Sequence, residues 1–262
     1  MRSIAIRRTA LAATAACVAL LATACGGSDS GSGSGDKGAD AKGKESAAAK
    51  PAAKALTADE LEKAALAQGD VKGHKIAKAA AKDIIAKKDI KAEKEVCAPF
   101  ANALMGAEVG DPAAFTRRTV VSEPKKDSLK DSADTEKAFK AAFDITTTQL
   151  ALGTYDGKGA EESVTALRTA GTECAGGFTF TAAGEKQKVG KITEAQVEAG
   201  EDAAAWTVEL GEGKDKLQVK LVAMRQGASF ASFSAMNLAA AGVGGDFELP
   251  TAVVEAQAAK LA

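Results

Sequence analysis

His74 is the one histidine of this 262-residue chain, so a Ser-His-acid triad or any other imidazole-based proton transfer has to use it. It stands two residues before Ile76 in a short alternating stretch, which reads as a packed or half-exposed histidine rather than a base. Ser122-Glu123-Pro124-Lys125 has the Ser-x-x-Lys spacing of cell-wall transpeptidases. That chemistry needs Ser and Lys one helical turn apart, whereas the residues before Ser122 alternate like a strand and Pro124 opposes a helix. Gly184 to Lys191 approximates a phosphate-binding loop but is one residue too long, with Ile192 where a metal-binding hydroxyl is needed. The acidic run Asp127 to Glu136 lacks calcium-loop spacing and reads as part of a solvated loop from Glu123 to Lys137. No catalytic residue, metal ligand set or cofactor is expected, and the chain is expected not to be an enzyme.

The four cysteines are more informative. Arg2, Arg7 and Arg8 precede an apolar run from Thr9 to Ala24, the charged-then-apolar order of an export signal. The run has about 16 residues against the roughly 20 that cross a bilayer, and Gly26-Gly27-Ser28 follows it instead of a charged stop. Ala22-Thr23-Ala24-Cys25 resembles the lipobox of bacterial lipoproteins, with Ala22 where that pattern prefers Leu. The resemblance implies that residues 1–24 are a signal peptide and that Cys25 becomes the lipid-bearing first residue of the mature protein, held at the membrane by two or more acyl chains. An ordinary cleavage site near an incidental Cys is the alternative, and Arg7-Arg8 leaves Sec and twin-arginine export both open. Cys17 leaves with the signal, so Cys97 and Cys174 remain as a pair in an oxidising compartment, where one disulfide is the expected state. Two free thiols or an intermolecular bond are the other possibilities.

Loss of residues 1–24 removes three of 34 basic residues and none of 35 acidic ones, taking the net charge from −1 to −4. Neither nucleic acid nor an anionic lipid surface is drawn by that balance. Residues 25–55 follow as a lipidated Cys and a Gly, Ser, Lys and Ala tether without a large apolar side chain, with a reach of roughly 30 Å as a flexible coil.

Ordered structure is expected over residues 56–262. Thr57 and Glu60 form a capping box with Leu56 and Leu61 as its staple, opening a helix through Leu66. Val71 to Lys78 reads as a strand with His74 and Ile76 on one face. A helix from Glu93 to Met105 turns Cys97, Phe100, Ala101 and Leu104 inward, and another turns Ala160, Val164, Leu167 and Gly171 inward before Cys174. Gly110-Asp111-Pro112 turns into a strand from Phe115 to Ser122, whose neighbours Arg117 and Arg118 point to opposite faces. They read as two surface arginines, with one buried anion contact as the alternative. Phe143 to Tyr155 reads as a strand whose phase change near Gln149 suggests a bulge. Five further strands lie between Phe178 and Met236, with Gly211-Glu212-Gly213 as a hairpin loop, and Pro250 opens a closing helix with Val253, Val254, Gln257 and Leu261. The aromatics Phe143, Phe178, Phe180, Trp206, Phe230 and Phe233 read as core. Short connections between successive strands make this one α+β domain with a mainly antiparallel sheet.

Leu56 to Leu61, Glu95-Val96-Cys97-Ala98-Pro99-Phe100, the Thr-rich strand ending Leu152-Gly153-Thr154-Tyr155 and the helix closing at Cys174 resemble the PknH-like extracellular sensor domain. The resemblance implies a twisted antiparallel sheet flanked by helices around a ligand-taking cleft, on an actinobacterial-type lipoprotein. The family pattern has two disulfides where this chain has cysteines for one, so no binding residue is carried over.

The expected role is therefore a non-enzymatic binding domain for a small envelope ligand or a protein partner, lipid-anchored at the extracytoplasmic face of a bacterial membrane. A lipid or glycolipid carrier with a hollow apolar core is the alternative, and a cell-envelope hydrolase using His74 is the third reading.

Overall fold

The structure is a computed structural model that describes residues 54–124, 141–213, 216–243 and 245–262. The signal segment, Cys25, residues 25–53 of the tether and the acidic run at 127–136 lie outside the described residues. Internal contacts divide the chain into Met1–Ala48 and Ala49–Ala262, and the described residues all belong to the second.

Helix α1 (Ala58–Ala64) begins at the capping box: Glu60 N–H donates to Thr57 Oγ1 at 3.3 Å, and Thr57 N–H donates to Glu60 Oε2 at 2.8 Å. Two turns of helix are marginal alone, and residues remote in sequence hold the far end. Gln257 Nε2 donates to the Ala64 carbonyl at 2.8 Å, while Arg118 Nε donates to the Leu66 carbonyl at 2.8 Å. Leu56 N–H donates to the buried Thr154 hydroxyl at 3.0 Å, which pins the residue before the capping box to the sheet.

Nine strands form one wholly antiparallel sheet: β1 (His74–Lys78), β2 (Ile90–Ala92), β3 (Ala114–Ser122), β4 (Thr146–Thr154), β5 (Phe178–Ala182), β6 (Glu185–Ala195), β7 (Asp202–Leu210), β8 (Leu217–Gln226) and β9 (Ser229–Asn237). Their order is β1-β3-β4-β9-β8-β7-β6-β5-β2. The outermost strands are short and carry Lys75, Lys78 and Lys91, which discourages pairing with another sheet. The stretch that approximates a phosphate loop starts β6 instead. Ala183 and Gly184 both take positive φ, 49° and 86°, and form the two-residue hairpin turn that joins β5 to β6. No bulge occurs at Gln149, for β4 keeps register with β3 and β9 throughout. The phase change there arises because from Leu150 onward β4 is covered on both faces, so successive residues are buried. A register shift lies in β6, between Val189 and Ile192.

Helices cover both faces. On one face α1 and α5 (Thr251–Leu261) pack over Val120, Leu150, Leu152, Val222 and Phe233. On the other, α2 (Ala98–Leu104) and α3 (Gly159–Glu173) pack over Phe178, Phe180, Trp206, Val208 and Leu221. The predicted inward residues Cys97, Phe100, Ala101, Leu104, Ala160, Val164, Leu167 and Gly171 are all buried. The first α-helical residue of α2 is Ala98 rather than Glu93; a 3-10 turn (Glu95–Cys97) precedes it and Pro99 sits in its first turn, where no donor is needed. Asn237 Oδ1 accepts from Ala240 N–H and starts a short α4 (Leu238–Val243) that the sequence reading does not contain. Phe143 precedes β4 and is 38% exposed, whereas the other five aromatics are core as expected.

Cys97 and Cys174 are bonded, with Cα atoms 6.1 Å apart and a separation of 77 in sequence. Chain-entropy reasoning for a loop of this span allows about 4 kcal/mol at most. Reduction, or a Cys97→Ser/Cys174→Ser pair, is expected to cost about 2–4 kcal/mol, read as a lower thermal midpoint against the oxidised protein. Gly171 meets Trp206 so closely that a Cβ would lie 2.6 Å from the indole Nε1. Helix preference for Ala is worth about 1 kcal/mol, and forcing the ring aside costs about 1–3 kcal/mol, so Gly171→Ala is expected to lower stability in denaturant titration.

Candidate functional site

Three surface recesses merit comparison. The first, of about 550 Å³, opens between the Gly110 turn and the start of α3, lined by Asp111, Tyr155, Asp156, Lys158 and Glu162. Its polar groups are occupied or exposed: Asp111 pairs with Lys87 at 2.8 Å, and the Tyr155 hydroxyl donates to the Val109 carbonyl at 2.5 Å. The second, of about 510 Å³, lies where residues 246–251 pass over Lys220. Lys220 is 6% exposed, yet its ammonium donates to Thr207 Oγ1 at 2.8 Å, pairs with Asp246 at 2.7 Å and lies 5.6 Å from the Phe247 ring centre. Among the described residues neither recess holds a buried polar side-chain atom without a partner.

The third differs. It runs between the C-terminal end of α2 and the sheet, in two adjoining parts that share Asp83, Met105 and Gln149. One part, of about 110 Å³, is lined mainly by apolar groups, Ile85, Leu104, Leu210, Val219 and Met236, with Thr147 and Ser234 on its floor. The other, of about 20 Å³, reaches Arg117 and Thr119 on β3. Register explains the floor: Thr119, Gln149 and Ser234 are partners across β3, β4 and β9, so their side chains share one face.

The two neighbouring arginines are not surface residues. Arg118 is 7% exposed and fully engaged, bonding the Leu66 and Glu62 carbonyls and the Thr116 hydroxyl and pairing with Glu62 Oε1 at 3.0 Å. The Glu62 carboxyl is held below its usual range, first by the Thr116 hydrogen bond and further by Lys78 and Arg118. Arg117 points the other way, toward the third recess. Its side chain is only 10% exposed, its one ion pair is Nη2 to Glu108 at 3.5 Å, and Nε and Nη1 are buried without a partner among the described residues. The Phe115 ring lies 5.0 Å from its Cζ. Burial pulls its pKa down, opposed in part by Glu108. Each unpaired buried guanidinium donor costs stability, and Arg117 carries two where Arg225 carries one, its Nε.

The residues singled out for catalysis do not assemble. His74 Nδ1 donates to the Lys72 carbonyl at 3.0 Å, the nitrogen a triad would give to its acid. Ser122 Oγ accepts from Thr146 N–H at 2.8 Å, and Lys125 lies outside the described residues. Among the described residues no group of three or more His, Cys, Asp or Glu is placed to hold a metal, and no helix is long and apolar enough to cross a membrane.

Tyr155 supplies a direct check on this geometry, because it is the single tyrosine. Burial, and to a smaller degree Glu108 and Asp111, push its hydroxyl up to about 12 from 10.0. A folded-state value above the unfolded one favours the neutral fold, so this stability is complete below pH 10 and is lost as pH rises through about 12. Phenolate absorption should therefore appear near pH 12 in the folded protein, with about 2–3 kcal/mol of stability lost across that window; ionisation near pH 10 without unfolding contradicts the buried hydrogen bond.

No family model matches the chain, and no curated protein does. Among solved structures, the crystal structure of the extracellular domain of PknH from Mycobacterium tuberculosis is similar at 10% identity and a TM-score of 0.45, over 79% of this chain and 95% of that one.

Proposed function

We propose that this chain is an extracytoplasmic lipoprotein, cut before Cys25, acylated there and carrying a non-enzymatic ligand-binding domain over residues 56–262 on a tether. Export and anchoring rest on the signal-like residues 1–24 and on Ala22-Thr23-Ala24-Cys25. The Cys97–Cys174 bond fits an oxidising compartment. The binding role rests on one observation: Arg117, nine-tenths buried, faces the recess beside α2 with two open donors. A non-enzymatic reading draws on His74, whose Nδ1 is spent on a backbone carbonyl. The apolar part of the recess, about 110 Å³, is far below the roughly 300 Å³ at which pockets for larger ligands begin, which weighs against an acyl-chain carrier.

Fractionation of bacterial cells expressing the full chain tests the anchor. The protein should sediment with membranes and its intact mass should show an acylated Cys25 at the amino terminus, while Cys25→Ala should leave it unacylated and soluble. An unmodified amino terminus at another residue contradicts the proposal.

A further inference from the structure

We infer that the recess beside α2 takes a small carboxylate with a short apolar body, the carboxylate on the open donors of Arg117 and the body against Met105 and Leu104. The inference deepens the binding reading above and rests on it. Three features of the recess point to this ligand. Its Arg117 end offers Nε–H and Nη1–H, both buried and without a partner among the described residues, and a guanidinium whose planar donors match a carboxylate. Glu108 meets only Nη2, at 3.5 Å, so this ion pair leaves Nε and Nη1 without an acceptor among the described residues. The other end is apolar, with Leu104, Met105 and Ile85 among its lining.

Size sets the class. Parts of about 20 Å³ and 110 Å³ exclude a sugar chain, a nucleotide or a long acyl chain, and leave room for a head of few atoms and a short body. Arg117 pairs with Ala151 and Ala151 with Ser232, so Met236 lies two strands across and four residues along the sheet, about 16 Å away at ordinary strand spacing and rise and beyond the span of a short body held at Arg117. Asp83 lines both parts and makes no ion pair among the described residues. It is exposed, so its repulsion of an anion is screened by water, whereas the attraction of the buried Arg117 is not.

The mature protein, nitrogen-15 labelled, would be titrated with sodium hexanoate, hexanamide and 1-hexanol, which share one apolar body, and followed by amide shifts and calorimetry. Hexanoate should move resonances of Met105, Gln149 and Arg117 and bind at least tenfold tighter than hexanamide. Arg117→Met should weaken hexanoate at least tenfold and leave the weaker hexanamide unchanged, and Asp83→Asn should tighten hexanoate. Arg117→Met should also be at least as stable as the parent, since it removes unpaired buried donors; should it fail to fold, Arg117→Lys keeps the charge without the planar donors and should still lose affinity. Equal binding of hexanoate and hexanamide, or unchanged hexanoate affinity in a folded Arg117 variant, overturns the carboxylate inference and leaves the recess as a binding site. Absence of any shift in the recess with all three probes overturns the binding reading itself.

Discussion

The bond between Cys97 and Cys174 fixes where α2 lies, and the rest of the second face of the sheet follows from that position. Two-turn α2 has no side-chain cap of its own at its start, and covalent attachment to the end of the 15-residue α3 substitutes for one. Phe100 then reaches Trp206 edge-on at 5.3 Å and Phe178 at 6.4 Å, which closes the core above β5 and β7. Leu104, the last residue of α2, and Met105, its C-cap, become the wall of the recess. A short helix unable to hold itself thus sets the shape of the site.

Coverage of the sheet is unequal along its width, and Arg117 and Arg118 register the difference. Arg118 enters the face beneath α1, where carbonyls at the end of that helix need donors, and it is satisfied in full. Arg117 enters the opposite face at the β3 end, beside α2, and is desolvated without equivalent partners. Adjacent residues of one type therefore have opposed energetic roles: one closes a helix end, the other retains unspent hydrogen-bonding capacity at a recess. Proteins tolerate such an unspent group where it serves a ligand.

Much of the fold was legible because its signals are local. The Thr57/Glu60 box, the spacing of Cys97, Phe100, Ala101 and Leu104, and the alternation of β7 and β8 all act within a few residues. Alternation also put Arg117 and Arg118 on opposite faces. It did not reveal that both faces are covered there, which is why the pair read as surface residues. Burial of both faces likewise disguised the regular β4 as a bulged strand at Gln149. The pairing of β4 with β9 joins residues about eighty apart, and Gln257 completes α1 from the far end of the chain; such long-range choices are made by packing and leave no local trace. The open donors of Arg117 could not be read from sequence at all, since they are defined by partners that fail to arrive.

The proposed export and the proposed recognition meet in one dependence: an oxidising compartment allows the disulfide, the disulfide holds α2, and α2 forms one side of the recess. Affinity for hexanoate in the oxidised protein and in the same protein after full reduction tests this chain of cause most directly, with far-ultraviolet circular dichroism confirming that the sheet persists. The account predicts that affinity falls sharply on reduction while the sheet signal holds. Equal affinity in both states would contradict it.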